Sequence, residues 1–135
     1  PERPRMVCVQ SEATAPIARA WAAGEPEITP LPPGRTIATG LNVARNVGHA
    51  QVLRVVRATG GCALTVTDEA IRAAIRTEWR ERRVALSPEG AATFAALPEL
   101  ADRRMIRPGD RVVLVNTASA EKYLPTIREC LEGGL

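Results

Sequence analysis

Three short apolar runs, each followed by helix-like sequence, constrain this chain most. They are Met6–Gln10, Cys62–Val66 and Val112–Val115. Each has the length of a strand and no polar alternation, which reads as a strand buried on both faces. Val112–Val115 is the clearest of the three. Between the runs the spacing predicts helices. Pro16 to Ala23 has proline for its first turn and Gly24 for its stop. A proline-rich loop covers 25–36. His49 to Ala58 places Val52, Val55 and Val56 on one face, and Gly60-Gly61 ends it. Thr67 is a suitable N-cap for a helix running to about Arg82, with Ile71, Ala74, Ile75 and Trp79 as its expected buried stripe. Asp68 and Glu69 favour the positive end of that helix. Pro88 to Leu100 reads as a helix interrupted or ended near Pro98. Arg107–Asp110 is a turn. A last helix follows Ser119, with Leu124, Ile127, Arg128 and Leu131 at helical spacing.

The order β-α-α-β-α-α-β-α predicts an α/β fold, a three-layer arrangement of a parallel sheet with helices on both faces. Three such strands leave both sheet edges open, and an open apolar edge is a liability. The piece is therefore expected to complete a larger sheet. The start at Pro1, almost at once before a strand, agrees with that expectation.

Composition narrows the function classes. The chain is 45% hydrophobic, which supports a core. A net charge of +3 without a basic block, and only 3% aromatic residues, argue against nucleic-acid binding. No apolar run is long enough to span a membrane, so no membrane contact and a soluble, cytoplasmic protein are expected. Cys8, Cys62 and Cys130 lie far apart inside apolar stretches, without metal-ligand spacing, and read as reduced buried thiols. His49, the single histidine, has no cysteine or carboxylate constellation near it in sequence and is expected on the surface or at a cap. Trp21 and Trp79 fall on apolar helix faces and read as core or interface.

Three segments, in order, carry a resemblance. Thr36-Ile37-Ala38-Thr39-Gly40-Leu41 resembles the TIA-x-G segment of fold-type II pyridoxal 5'-phosphate (PLP) enzymes. Thr67-Asp68-Glu69 after a Gly-Gly strand, followed about twenty residues on by Ser87-Pro88-Glu89-Gly90-Ala91-Ala92-Thr93, is similar to the threonine synthase-like subgroup, where the latter is a helix start. Val113-Leu114-Val115-Asn116-Thr117-Ala118-Ser119-Ala120-Glu121-Lys122-Tyr123 looks like the stretch that closes the active site there. Each motif alone is weak, but their order and spacing fit one frame from Val7 to about Leu131.

The resemblance implies that the chain is the C-terminal part of the PLP-binding domain of a lyase resembling threonine synthase, converting O-phosphohomoserine to threonine by β,γ-elimination and replacement. It implies an amino-acid substrate, association with the remainder of the same enzyme, and possible assembly as a homodimer. It places Thr117 on the pyridine nitrogen of PLP, Glu89 beside the ring, and Gly40 where backbone comes close to the ligand. Each has a plain alternative: Thr117 as a cap of the final helix, Glu89 as a favourable charge in a first helical turn, Gly40 as a turn glycine. Asn116 is expected to fix the loop after the third strand.

No catalytic residue is expected in this chain. The Schiff-base lysine of the family lies upstream of these motifs, and Lys122, the single lysine, matches a different position. Gly60-Gly61 precedes a strand rather than opening a helix, and Gly133-Gly134 lies at the tail, so a phosphate cradle is not expected either. Ala118 and Ala120 stand where the family has glycine. A Cβ at a position needing positive φ costs about 1 kcal/mol or more, so a different loop shape is expected. The alanines keep a second reading open, a degenerate, non-catalytic domain serving as a binding or assembly module. A small nucleotide-binding domain is disfavoured because neither common phosphate loop is present.

Overall fold

The computed structural model describes residues 3–133. Pro1 and Gly134, both used in the sequence reading, lie outside the described residues. Two parallel strands form the sheet, β1 (Val7–Ser11) and β2 (Cys62–Val66), in register from Val7 opposite Cys62 to Ser11 opposite Val66. Gly61 enters β2 where only a residue without a side chain fits: a Cβ there would sit 1.8 Å from the Met6 carbonyl oxygen.

Helices cover both faces, as the strand-helix alternation predicts. On one face lie α1 (Pro16–Ala22) and α2 (His49–Ala58), packing Ile17, Ala18, Ala20 and Leu53 against Ala63. On the other lie α3 (Asp68–Arg82), α4 (Pro88–Ala95) and α5 (Leu97–Asp102), with α6 (Leu124–Glu132) against α3. Their core joins Leu64 and Val66 of β2 to Ile71, Ile75, Ala91, Ala92, Leu100 and Ile127. Each large aliphatic side chain buried this way contributes about 1.5–3 kcal/mol. Burial pushes the thiol of Cys8, on β1, up to about 11, in keeping with an unreactive cysteine.

Several elements differ from the sequence reading. Val112–Val115 is not a strand: the segment pairs with neither β1 nor β2, and Val113 is 86% exposed. A strand exists through its ladder of hydrogen bonds, and β-branched composition cannot supply the partner. The Pro88–Leu100 helix, by contrast, is interrupted as expected: it is two helices that meet at Ala96, with Pro98 in the first turn of α5. The buried stripe of α3 is Ile71, Ile75 and Glu78, while Trp79 is 39% exposed. The Glu78 carboxylate pairs with Arg82 one turn on, which explains how an acid sits there.

Two helices are capped by local hydroxyls, and one is capped from a distance. Thr67 accepts the Ala70 amide and Ser87 the Gly90 amide, the usual job of an N-cap hydroxyl. Ala15 cannot cap α1, so Gln10 of β1 does it: its Oε1 accepts from the amides of Ile17 and Ala18, both at 2.9 Å. The helix is thereby tied to the strand that precedes it.

His49, the first residue of α2, joins two parts of the loop before that helix. Its Nδ1 lies 2.8 Å from the Asn46 carbonyl oxygen, and its Nε2 meets the Glu27 carboxylate. The hydrogen bond to Glu27, then that to Asn46, raises its pKa above the usual 6.5. A raised folded pKa means that this contribution to stability is fully present below about pH 6.5 and fades as pH rises through the folded value. Because His49 is the single histidine, its proton NMR titration is unambiguous. The midpoint is expected above 6.5 and to return towards it in Glu27→Gln. An unshifted wild-type midpoint refutes the pairing.

Candidate cofactor site

The site is assembled where α4 begins. Ser87 caps this helix, Pro88 fits its first turn, and Glu89 follows with its side chain buried. Glu89 Oε1 accepts two hydrogen bonds, from the Gly40 amide at 2.8 Å and the Tyr123 hydroxyl at 2.6 Å. The other oxygen, Oε2, is buried without a hydrogen-bond partner. A buried carboxylate oxygen left bare is costly unless a ligand completes it.

Gly40 reaches Glu89 because its loop is held at both ends and in the middle. The Asn42 side chain accepts the Gly34 amide at 3.0 Å and donates to the Gly34 carbonyl at 2.8 Å. Thr14, just after β1, donates to the same Asn42 oxygen. Farther along, Asp68 at the start of α3 accepts the Thr36 hydroxyl at 2.6 Å and the Ile37 amide at 2.9 Å. The sequence reading assigned Asp68 only to the helix dipole; its carboxylate also fastens the loop. At Gly40 a Cβ would lie 2.8 Å from Glu89 Oε1, so the close approach needs glycine.

Asn116 brings the segment after residue 115 to the same place. Its Oδ1 accepts the Ser87 hydroxyl at 2.9 Å and the Ser87 amide at 3.3 Å. Gly90 packs so closely that a Cβ would sit 1.9 Å from that oxygen. Thr117 is therefore one residue from an anchor on the first turn of α4, and its own side chain is exposed. It does not cap the final helix: Ser119 caps the 3-10 turn Ala120–Tyr123 that leads into α6. Neither Ala118 nor Ala120 adopts positive φ, a conformation found among non-glycine residues only at Arg83 and Arg104 within the described residues. The loop thus takes a shape that alanine tolerates.

Glu89 and Gly40, two of the three residues singled out from sequence, touch directly, and Thr117 lies beside Asn116. Tyr123 is the member that sequence reasoning passed over. Its signal was faint: a lone tyrosine at the end of the third motif. Lys122 lies over the Tyr123 ring, 5.4 Å from its centre, and is exposed. A groove of about 570 Å3 elsewhere, lined by Glu12, Arg19, Trp21, Leu31, Glu99 and Arg103 among others, includes none of these residues. No cluster of His, Cys, Asp and Glu among the described residues is arranged to hold a metal, and no described helix is long and apolar enough to cross a membrane.

The chain has an α/β fold in which a buried acid and a backbone amide converge at the start of α4. The chain belongs to the pyridoxal-phosphate dependent enzyme family, whose pattern it matches over residues 1–118, and the cofactor of that family is PLP. It is 33% identical to the threonine synthase of Methanosarcina acetivorans over 96% of its own length and 32% of that protein. In structure it resembles the threonine synthase from Escherichia coli, with a TM-score of 0.75 and 19% identity over 95% of this chain and 29% of that one. It also resembles the processed form of threonine deaminase isoform 2 from Solanum lycopersicum, with a TM-score of 0.71 and 20% identity over 97% of this chain and 37% of that one. The chain spans about a third of the length of these relatives.

Proposed function

We propose that this chain supplies the pyridine-side part of a PLP site in a lyase resembling threonine synthase, acting on an amino acid by β,γ-elimination and replacement, with O-phosphohomoserine as substrate. The observation that carries the reading is the buried, unpartnered Glu89 Oε2 beside the Gly40 backbone. An orphaned acceptor next to a backbone kept free of side chain fits a flat ligand with hydrogen-bond donors. In this reading PLP, when bound, supplies the electron sink for carbanion chemistry at the amino acid.

The chain's own groups then orient and tune. The Thr117 hydroxyl would hold the pyridine nitrogen as a neutral partner. A neutral hydroxyl does not keep that nitrogen protonated as a carboxylate does, so the sink is weaker, which suits reactions in which a leaving group departs promptly. Glu89 would lie beside the cofactor, and Gly40 would let the loop backbone come close to it. The catalytic lysine and the phosphate cradle belong, in this reading, to the remainder of the enzyme, with the 135 residues forming the C-terminal part of the binding domain. The alternative, a degenerate module without catalysis, rests on Ala118 and Ala120, neither of which adopts positive φ.

The experiment is a PLP titration of the natural gene product, followed by absorbance. Thr117→Val keeps the shape and removes the hydroxyl, so PLP affinity is expected to fall about tenfold, the scale of one lost buried hydrogen bond. A wild-type protein that takes up no PLP ends the proposal, and a valine variant with unchanged affinity removes Thr117 from the site.

A further inference from the structure

Tyr123 is 7% exposed and carries a polar atom to the middle of the site. It closes the 3-10 turn that begins at Ala120 and leads into α6. Its hydroxyl donates to Glu89 Oε1 at 2.6 Å, and the Thr39 hydroxyl lies 3.5 Å from it. Together with the Gly40 amide, this gives Oε1 two donors while Oε2 has no partner. A carboxylate on a flexible stem has no intrinsic preference for which oxygen faces inward. Two fixed donors on one oxygen remove that freedom, and preorganisation of this kind strengthens whatever the other oxygen binds.

We infer that Tyr123 is a positioning residue: it holds Glu89 so that Oε2 faces a bound ligand and accepts an N–H or O–H from it. The inference rests on the PLP-site reading and deepens it. The 3-10 turn then couples the Thr117 segment to Glu89, so the two sides of the site are set by one stretch of chain. The donor that meets Oε2 belongs either to PLP or to the amino acid bound with it, because both carry N–H or O–H groups.

The test uses the natural gene product, as wild type, Tyr123→Phe, Glu89→Gln and the double variant. Each is measured for PLP affinity, for O-phospho-L-homoserine affinity with PLP present, and for Tm with and without PLP. Tyr123→Phe is expected to weaken one of the two ligands about five- to tenfold, the scale of one ordinary hydrogen bond. It is also expected to shrink the rise in Tm that PLP produces. The double variant is expected to be no worse than Glu89→Gln, since Tyr123 acts through Glu89. A loss for PLP assigns the donor to the cofactor, and a loss confined to the second ligand assigns it to the amino acid. If Tyr123→Phe lowers Tm equally with and without PLP and leaves both affinities at wild-type values, Tyr123 is merely structural and the inference is overturned. If wild type itself shows no PLP binding, the PLP-site reading falls and this inference with it.

Discussion

Ile71→Ala is expected to destabilise the protein by about 4 kcal/mol, within the usual range for deleting most of a buried isoleucine. Ile71 is 0% exposed and sits in the core where α3 meets β2 and α4. The cluster around it draws on β2, α3, α4 and α6. Ile71→Val, which removes one methylene, is expected to cost about 1 kcal/mol. The position also matters for the site. Asp68 lies one turn earlier on α3 and fastens Thr36 and Ile37, so a loosened α3 loosens the loop that presents Gly40. Chemical denaturation of both variants checks the ranking. An alanine variant within about 1 kcal/mol of wild type is incompatible with the core described above.

Gly61→Ala carries the second large effect, about 3 kcal/mol, at the upper end of what overpacking costs. The added Cβ would meet the Met6 carbonyl oxygen at 1.8 Å and its carbon at 2.8 Å. Both atoms are backbone, so relief requires moving the start of β1 away from β2, where Val7 pairs with Cys62. Gly60, its neighbour, is the natural control. It has φ of 63°, and no atom lies within 4 Å of where its Cβ would stand. Gly60→Ala is therefore charged only for the left-handed backbone, about 1 kcal/mol. Equilibrium unfolding should rank Gly61→Ala well below Gly60→Ala. The reverse order would show that the strand pair is not packed this way.

Both effects bear on how far the site is readable from residues. The motifs that single out Glu89 and Gly40 identify two groups 49 positions apart that share one hydrogen bond. Thr117 is singled out by the same route. What spacing does not reveal is the scaffold behind them: Asn42 tying off its loop at Gly34, Asp68 turned from helix charge to loop anchor, and Asn116 holding the cap of α4. These residues are ordinary polar side chains, and their partners lie 8 to 32 positions away. Local pattern has no access to such pairings.

The proposed PLP half-site is the feature through which fold and function meet. By itself the sequence determined the alternation of strand and helix, the cap at Thr67, and the burial of Ile71 and Ile75. Those depend on periodicity and on hydrogen bonds within a few residues. The tertiary structure decided that Val112–Val115, the most strand-like run of all, is unpaired in this chain. It also decided that Gln10 rather than a local residue caps α1, that Glu78 rather than Trp79 is buried, and that Tyr123 belongs with Glu89. The physical reason is common to all four: a ladder, a distant cap, a buried acid and a shared carboxylate each need a second group, and only the folded chain says where that group is.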